Sequence, residues 1–297
     1  MFLAVAERRN MTRAAEVLNM TQSAVSAAIS SLEGQNRVKL FNRAGRGIEL
    51  SDAGKTFMAT ARSVITHAET ARMVLDNLAR EPIGRLRIFA SQTVATYWLP
   101  ARLVRLHECH PEIDVTLTVG NTAQVAAAVS DGSADLGFVE GNVSREDLMR
   151  RVIARDELVL VLSEAHPLAD SPAFGIDDYR SQTWVLREVG SGTRSEFEAH
   201  LADLGLGVAD LSVALEIPSN EALLSAVAAG NYIAMVSSRV AGSLRGIRQR
   251  RVVWSSPPMR TFAVLTHPGR HRTRAVETLL RVIEQIARET PTYRTAE

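Results

Sequence analysis

A narrow apolar stripe runs along the chain at Phe57, Ala61, Val64, Ala68, Ala71, Leu75 and Leu78. Its steps alternate between four and three residues, a period of 3.5, which is the seam of a coiled coil. Ser51 or Asp52 can cap the start of this helix, and Pro82-Ile83-Gly84 stops it near Ala79. The seam can be buried on the helix's own domain or on a second copy of the chain. The helix is long and separates two differently patterned regions, which favours a homodimer formed through it. The chain is thus divided into residues 1–55, a linker helix 56–82, and residues 83–297.

The first region reads as short helices. Phe2, Val5 and Ala6 fall on one face of the first, and Thr12 can cap a second with Ala14, Ala15 and Leu18 inward. Asn19-Met20 breaks the pattern. Thr21 can cap a third helix with Val25, Ile29 and Leu32 inward, and two short helices joined by a tight turn make a helix-turn-helix. Residues 38–41 and 48–50 then look like two strands, with Arg43-Ala44-Gly45-Arg46-Gly47 between them as the tip of a β-hairpin wing.

From Arg85 onward strands alternate with helices. Strands are expected at 86–90, 115–119, 135–139 and 158–162, with helices at 95–108 and 123–130. A second run has strands at 184–186, 214–217 and 233–236, with helices at 194–204 and 222–229. Repeated β-α units imply an α/β domain with a mainly parallel sheet. Two runs suggest two lobes with a ligand cleft between them. Lobe I takes about 83–160 and 262–297, because strand 262–265 and helix 274–287 return the chain to it. Lobe II takes about 161–261.

Composition narrows the function classes. At 297 residues, 46% hydrophobic and 23% charged, the chain is long enough for two or three domains and is not disordered. No apolar run reaches the ~20 residues of a membrane helix. The segment Met1–Asn19 is interrupted by Glu7, Arg8, Arg9, Arg13 and Glu16, unlike a secretory signal. The single cysteine, Cys109, cannot form an internal disulfide, and together these features point to the cytoplasm. Net charge is +1, but residues 1–55 hold eight basic against five acidic residues, a weak pointer to nucleic acid.

The stretch Met11-Thr12-Arg13-Ala14-Ala15-Glu16-Val17-Leu18-Asn19-Met20-Thr21-Gln22-Ser23-Ala24-Val25-Ser26 resembles the DNA-binding signature of LysR-type transcriptional regulators. Leu32-Glu33, Leu40-Phe41-Asn42-Arg43 and Leu50-Ser51-Asp52-Ala53-Gly54 continue it in register. Ser91-Gln92-Thr93, Gly120-Asn121-Thr122, Asp135-Leu136-Gly137, His166-Pro167-Leu168, the run Arg187 to Arg194 and Ser219-Asn220-Glu221-Ala222 are similar to the family's effector domain. These blocks are most similar to the branch that includes regulators of carbon fixation and sulfur metabolism. The resemblance implies a winged helix-turn-helix, a linker helix and a two-lobed α/β domain like type 2 periplasmic binding proteins. It also implies a homotetramer built as a dimer of dimers, a dyad-symmetric promoter site on double-stranded DNA, and RNA polymerase as a partner. A small metabolite in the cleft would alter how the dimers sit on DNA.

Three departures stand out. The family normally has several more residues before Phe2, so the expectation is either a truncated first helix or a misassigned start codon. Gly34-Gln35-Asn36-Arg37 replaces a stretch that usually carries Leu and then Gly, so the turn into the wing should differ. Ala27, Ala28, Ser30 and Ser31 stand where many members have basic or long polar residues.

On the third helix, Gln22 can read adenine by paired hydrogen bonds, while Ser23 and Ser26 can contact bases or phosphates. Thr21 and Ser23 can equally serve the helix N-terminus alone. Arg13, Arg43 and Arg46 would hold phosphates, or remain ordinary solvated charges. In the larger domain, Ser91, Thr93, Thr122 and Asn220 each sit at the C-terminal end of a strand. So does Gly190-Ser191-Gly192-Thr193, whose glycines let backbone approach a ligand, with Arg194 as a candidate charge. Capping explains each one singly. Convergence favours a site for a small anion: a carboxylate, a phosphate ester or a sulfur oxyanion. The glycine run lacks the ending of a nucleotide P-loop. His107, Cys109 and His110 match no zinc spacing, so no metal is expected. No cofactor is expected either, and no nucleophile, dinucleotide or metalloprotease signature supports an enzyme. The cluster Arg245, Arg248, Arg250 and Arg251 reads as a solvated edge or a subunit contact rather than a second basic patch.

Overall fold

A computed structural model of the chain describes residues 1–44, 47–77, 84–143, 145–170, 175–252 and 257–289. It forms two compact units, Met1–Arg72 with Asp131–Ser133, and Met73–Ser130 with Ala134–Glu297.

The smaller unit opens with helices α1 (Phe2–Arg8), α2 (Met11–Val17) and α3 (Gln22–Asn36). A hairpin follows, strands β1 (Phe41–Ala44) and β2 (Gly47–Leu50), antiparallel with Phe41 opposite Leu50. The strand pair is the expected wing, although β1 begins later than residue 38. Arg46, at its tip, lies outside the described residues. Asn10, and not Thr12, caps α2: its side chain accepts from the Arg13 N–H at 3.0 Å. Thr21 caps α3, accepting from Ala24 N at 3.2 Å. Asn19, between the two helices, takes φ 52°, which suits Asn in a tight turn. Phe2, Val5, Ala14, Ala15, Val25, Ile29 and Leu40 form the core.

Helix α4 (Asp52–Asn77) follows. The start of its apolar seam packs at home: Phe57 and Ala61 join this core, with the Phe57 ring 4.9 Å from Phe2. Farther along, Val64 and Ile65 are 62% and 50% exposed. The seam is therefore shared, its first turn on its own domain and its next uncovered. The side chains of Ala71 and Leu75, and all of Leu78, lie outside the described residues.

The larger unit holds strands β3 (Gly84–Ser91), β4 (Ile113–Gly120), β5 (Leu136–Glu140), β6 (Met149–Ser163), β7 (Thr183–Arg187), β8 (Ser212–Ile217), β9 (Ile233–Ser237), β10 (Ile247–Arg250) and β11 (Met259–Thr266). Helices α5 (Gln92–Tyr97), α6 (Pro100–Cys109), α7 (Thr122–Asp131), α8 (Ile176–Ser181), α9 (Gly192–Asp203), α10 (Asn220–Ala229), α11 (Ser238–Ala241) and α12 (Arg274–Glu289) intervene. One helix expected at 95–108 is two, because Pro100 starts a new one.

Strand order is β4-β3-β5-β11-β6-β9-β7-β8, with β10 beside β6. The sheet is mixed, not mainly parallel. β4, β3 and β5 run parallel, as do β8, β7 and β9, but β11 and β6 join them antiparallel. β6 belongs to both lobes. Met149–Glu157 pair with β11, and Leu158–Leu162 pair with β9. Its first half was missed in the sequence because Arg150, Arg151, Arg155, Asp156 and Glu157 interrupt any apolar run. Lobe I buries Leu86, Ile88, Trp98, Phe138, Phe262 and Leu279, and lobe II buries Tyr179, Trp184, Phe197, Leu160 and Ile233.

Candidate functional site

The lobe junction gathers an unusual density of buried polar groups. Ser91, Thr93 and Asn220 are 0% exposed, and Ser191, Thr193 and Thr122 are 1%, 2% and 6%. The C-terminal ends of β3 and β5 supply Ser91 and Glu140, and the starts of α5, α7, α9 and α10 supply Thr93, Thr122, Thr193 and Asn220. β3, β4, β7 and β8 each lead into one of these helices, so the pattern of the sequence converges on one place.

Hydrogen bonds link the two lobes here. Asn220 Nδ2 donates to Thr93 Oγ1 at 3.2 Å, and Asn220 Oδ1 accepts from Arg187 Nη1 at 2.6 Å. Gln92 reaches across too: its Oε1 accepts from Asn220 N at 2.8 Å, and its Nε2 donates to Glu221 at 2.8 Å. Ala123 N donates to Gly190 O at 3.2 Å. Gly190 needs its missing side chain for φ +90°. Gly192 needs it for contact, since a Cβ there would stand 2.2 Å from Glu140 O. The two glycines therefore serve backbone packing at the junction, a role the sequence reading had assigned to ligand approach.

The charges are not those expected. Arg194 is taken up by other partners, pairing with Glu198 at 2.5 Å and Glu216 at 3.4 Å and donating to Arg187 O at 2.9 Å. Arg187 and Arg260 take its place. Arg187 pairs with Glu188 at 2.9 Å. Arg260, 2% exposed, donates from Nε to Asp156 at 2.8 Å and from Nη1 to Thr193 Oγ1 at 2.9 Å. Ser237 Oγ donates to the other Asp156 oxygen at 2.9 Å. Glu140, 2% exposed, accepts from Ser91 Oγ, and its carbonyl accepts from Thr122 Oγ1 at 3.1 Å. Burial pushes the nearby Glu196 carboxyl up, against the pull of Arg260 and Arg150. Among the described residues of this junction, Ser191 Oγ and Arg260 Nη2 are buried and keep no hydrogen-bond partner.

None of Glu140, Asp156 and Arg260 was singled out beforehand. Arg260 sits on a strand start far along the chain, and only its cross-strand pairing with Asp156 brings it in.

In the smaller unit, Gln22 and Ser23 are exposed on the first turn of α3, Ser26 is half-buried, and Arg13 is exposed on α2. Thr21 and Ser23 hydroxyls lie 3.1 Å apart. Arg43 lies on β1, with its side chain outside the described residues. Glu33, 8% exposed, binds Lys39 Nζ at 2.7 Å and the N–H groups of Leu40 and Phe41 at 2.8 and 3.1 Å. It fastens the end of α3 to the wing. Arg37 closes α3 at φ 51°, the left-handed position that Gly usually fills.

Residues 1–55 match the family described as bacterial regulatory helix-turn-helix protein, lysR family, and residues 79–288 match the LysR substrate binding domain. The chain belongs to the LysR family. It is a DNA-binding transcription regulator with an effector-binding domain, not an enzyme. The regulator is 32% identical over 285 residues to the uncharacterized HTH-type transcriptional regulator YeiE of Escherichia coli strain K12, covering 94% of this chain and 93% of that one. Its fold is similar to that of full-length CbnR complexed with target DNA, with a TM-score of 0.71, 21% identity and 96% of each chain covered. The regulatory domain of Synechocystis PCC6803 CcmR, in complex with 2-PG, matches at a TM-score of 0.63 and 26% identity, covering 70% of this chain and all (100%) of that one. Among the described residues no helix is long and apolar enough to cross a membrane, and no group of His, Cys, Asp and Glu is arranged for a metal.

The remaining candidates have ordinary surroundings. Arg248 and Arg251 pair with Asp170 and Glu157, and Arg250 donates to Leu168 O at 2.9 Å. Cys109 is exposed.

Proposed function

We propose that the regulator senses a small anion held where its two lobes meet, and transmits its binding to a dyad-symmetric promoter site. The observation that carries this reading is the pair of unpartnered buried donors, Ser191 Oγ and Arg260 Nη2. Arg260 bonds Thr193, two residues after Ser191, and buried polar groups in folded proteins are nearly always satisfied, so an orphaned guanidinium nitrogen and an orphaned hydroxyl on these elements are chemistry held ready for an acceptor. Thr93, Thr193 and Asn220 complete the lining, with Ser91, Thr122, Gly190 and Gly192 shaping it. The CcmR regulatory domain's complex with 2-PG supports a small ligand in a domain of this kind.

In the same reading, residues 1–55 bind DNA, 56–82 join two chains and 83–297 bind the effector. Gln22, Ser23 and Ser26 face the major groove. Arg13, Arg43 and Arg46 hold phosphates, and Thr21 sets the helix start. The exposed Val64 and Ile65 are covered by a second copy, two such dimers form a tetramer, and the assembly acts in the cytoplasm on RNA polymerase. Binding-site selection from random duplexes, followed by footprinting with and without carboxylates, phosphate esters and sulfur oxyanions, tests this. A dyad-symmetric site whose footprint changes with one anion class is the expected result. A footprint indifferent to all three classes would remove the sensing role.

A further inference from the structure

The hydroxyls at the lobe junction differ in what their protons do. Ser91 directs its proton at the Glu140 carboxylate, and Thr122 directs its own at the Glu140 carbonyl. Thr93 and Thr193 instead accept, from Asn220 and Arg260, which leaves their protons available to a ligand. The charges divide in the same way. Asp156 is matched by Arg260, and Glu188 by Arg187. Glu140 only shares a cation: its Oε1 lies 4.0 Å from the Nη1 of Arg260, which is bonded to Asp156 at 2.8 Å, and Ser91 is the one hydrogen-bond donor to the Glu140 carboxylate among the described residues. It also packs against the residue that follows Ser191. Gly192, next to Ser191, packs so tightly on Glu140 that a Cβ would meet its Cγ at 2.8 Å.

We propose that Glu140 determines the specificity of the cleft: it admits an anion that brings its own hydrogen-bond donor and rejects a fully deprotonated anion of the same size. The donor is a hydroxyl, an ammonium or a retained acid proton. This inference rests on the reading of the junction as an anion site. An oxyanion drawn to Arg260 Nη2 and Ser191 Oγ meets a second, buried carboxylate. With no proton between them, two anionic oxygens repel strongly where water is excluded. With a proton between them, the contact becomes a charge-assisted hydrogen bond. Sites built around such a bond discriminate sharply against analogues that lack the donor, because the buried acceptor is then left unpaired.

Inorganic phosphate and sulfate share shape and size. In mildly alkaline buffer hydrogen phosphate keeps one proton and sulfate keeps none. Titration calorimetry and thermal unfolding of the full chain with each ion, in the native protein and in Glu140→Gln, read the difference. The native protein should favour phosphate by more than about tenfold, the worth of one good charged hydrogen bond. Glu140→Gln, whose amide donates, should gain sulfate and lose that preference. The native preference needs no substitution, so a variant that fails to fold leaves the test standing. Equal affinity of the native protein for the two ions, or an unchanged ratio in Glu140→Gln, overturns the role of Glu140 and leaves the anion site intact. Binding of neither ion by either protein at saturating concentration overturns both.

Discussion

Arg260 and Asp156 face each other across β11 and β6, bonded at 2.8 Å with their side chains 0% and 1% exposed. The pair stands beside the step from Glu157 to Leu158, where β6 leaves one lobe for the other. Removing one member strands the other's charge where water cannot reach. Asp156→Ala is therefore expected to cost about 3–5 kcal/mol of stability, read by urea unfolding. A loss below about 1 kcal/mol would mean that the buried guanidinium is compensated elsewhere.

Glu33 gives a pH-dependent signature in the smaller unit. Burial alone would raise its carboxyl, but the bonds from Lys39 and from the Leu40 and Phe41 N–H groups outweigh it and hold the group below its usual 4.5. A carboxyl depressed in the folded state contributes stability that is present above its unfolded value and is lost as pH falls through the folded one. Unfolding midpoints of this unit should thus decline below about pH 4.5 more steeply in the native protein than in Glu33→Gln. Near neutrality Glu33→Gln should cost about 1–3 kcal/mol, because backbone donors lose a charged acceptor.

The linker helix predicts an oligomer. Val64 and Ile65, at 62% and 50% exposure, follow directly on the part of the seam that packs at home. Val64→Glu should weaken self-association by at least about tenfold in sedimentation equilibrium, since it places a charge in an apolar seam, while each unit keeps its circular dichroism. Unchanged mass would show that α4 does not join two chains.

On DNA, Gln22 and Arg13 should separate by kind of effect. Gln22→Ala should relax preference at one base position by about 1–3 kcal/mol, whereas Arg13→Ala should weaken all sequences alike and lower the salt slope by about one. Fluorescence anisotropy across a set of single-base variants distinguishes them. Equal behaviour of the two variants would contradict the assigned roles.

The order of elements was legible because periodicities of 3.6 and 2 are written locally. The strands at Leu86, Val115, Trp184 and Ile233 fell where their apolar residues run. The first half of β6 was not legible, since its apolar residues are spaced among arginines and acids that only the facing β11 makes sense of. The buried hydroxyls of the candidate site were legible because strand ends and helix starts mark them. Its charges were not. Arg194 lies in the right segment but is spent on Glu198, Glu216 and the Arg187 carbonyl, while Arg260 and Glu140 enter through tertiary pairing between strands distant in sequence. Local pattern locates the backbone of a cleft; which ionised groups face it depends on register across the sheet.

On the proposed function, a small anion sits against Arg260 and Ser191. The most direct measurement is thermal unfolding of the full chain against carboxylates, phosphate esters and sulfur oxyanions, repeated in Ser191→Ala. A ligand at about 100 times its Kd stabilises by about 2.7 kcal/mol, a shift of a few degrees. Such a shift is expected for one anion class, with most of it lost in Ser191→Ala while the unliganded midpoint hardly moves. No shift with any class, or a shift that Ser191→Ala leaves untouched, would contradict it.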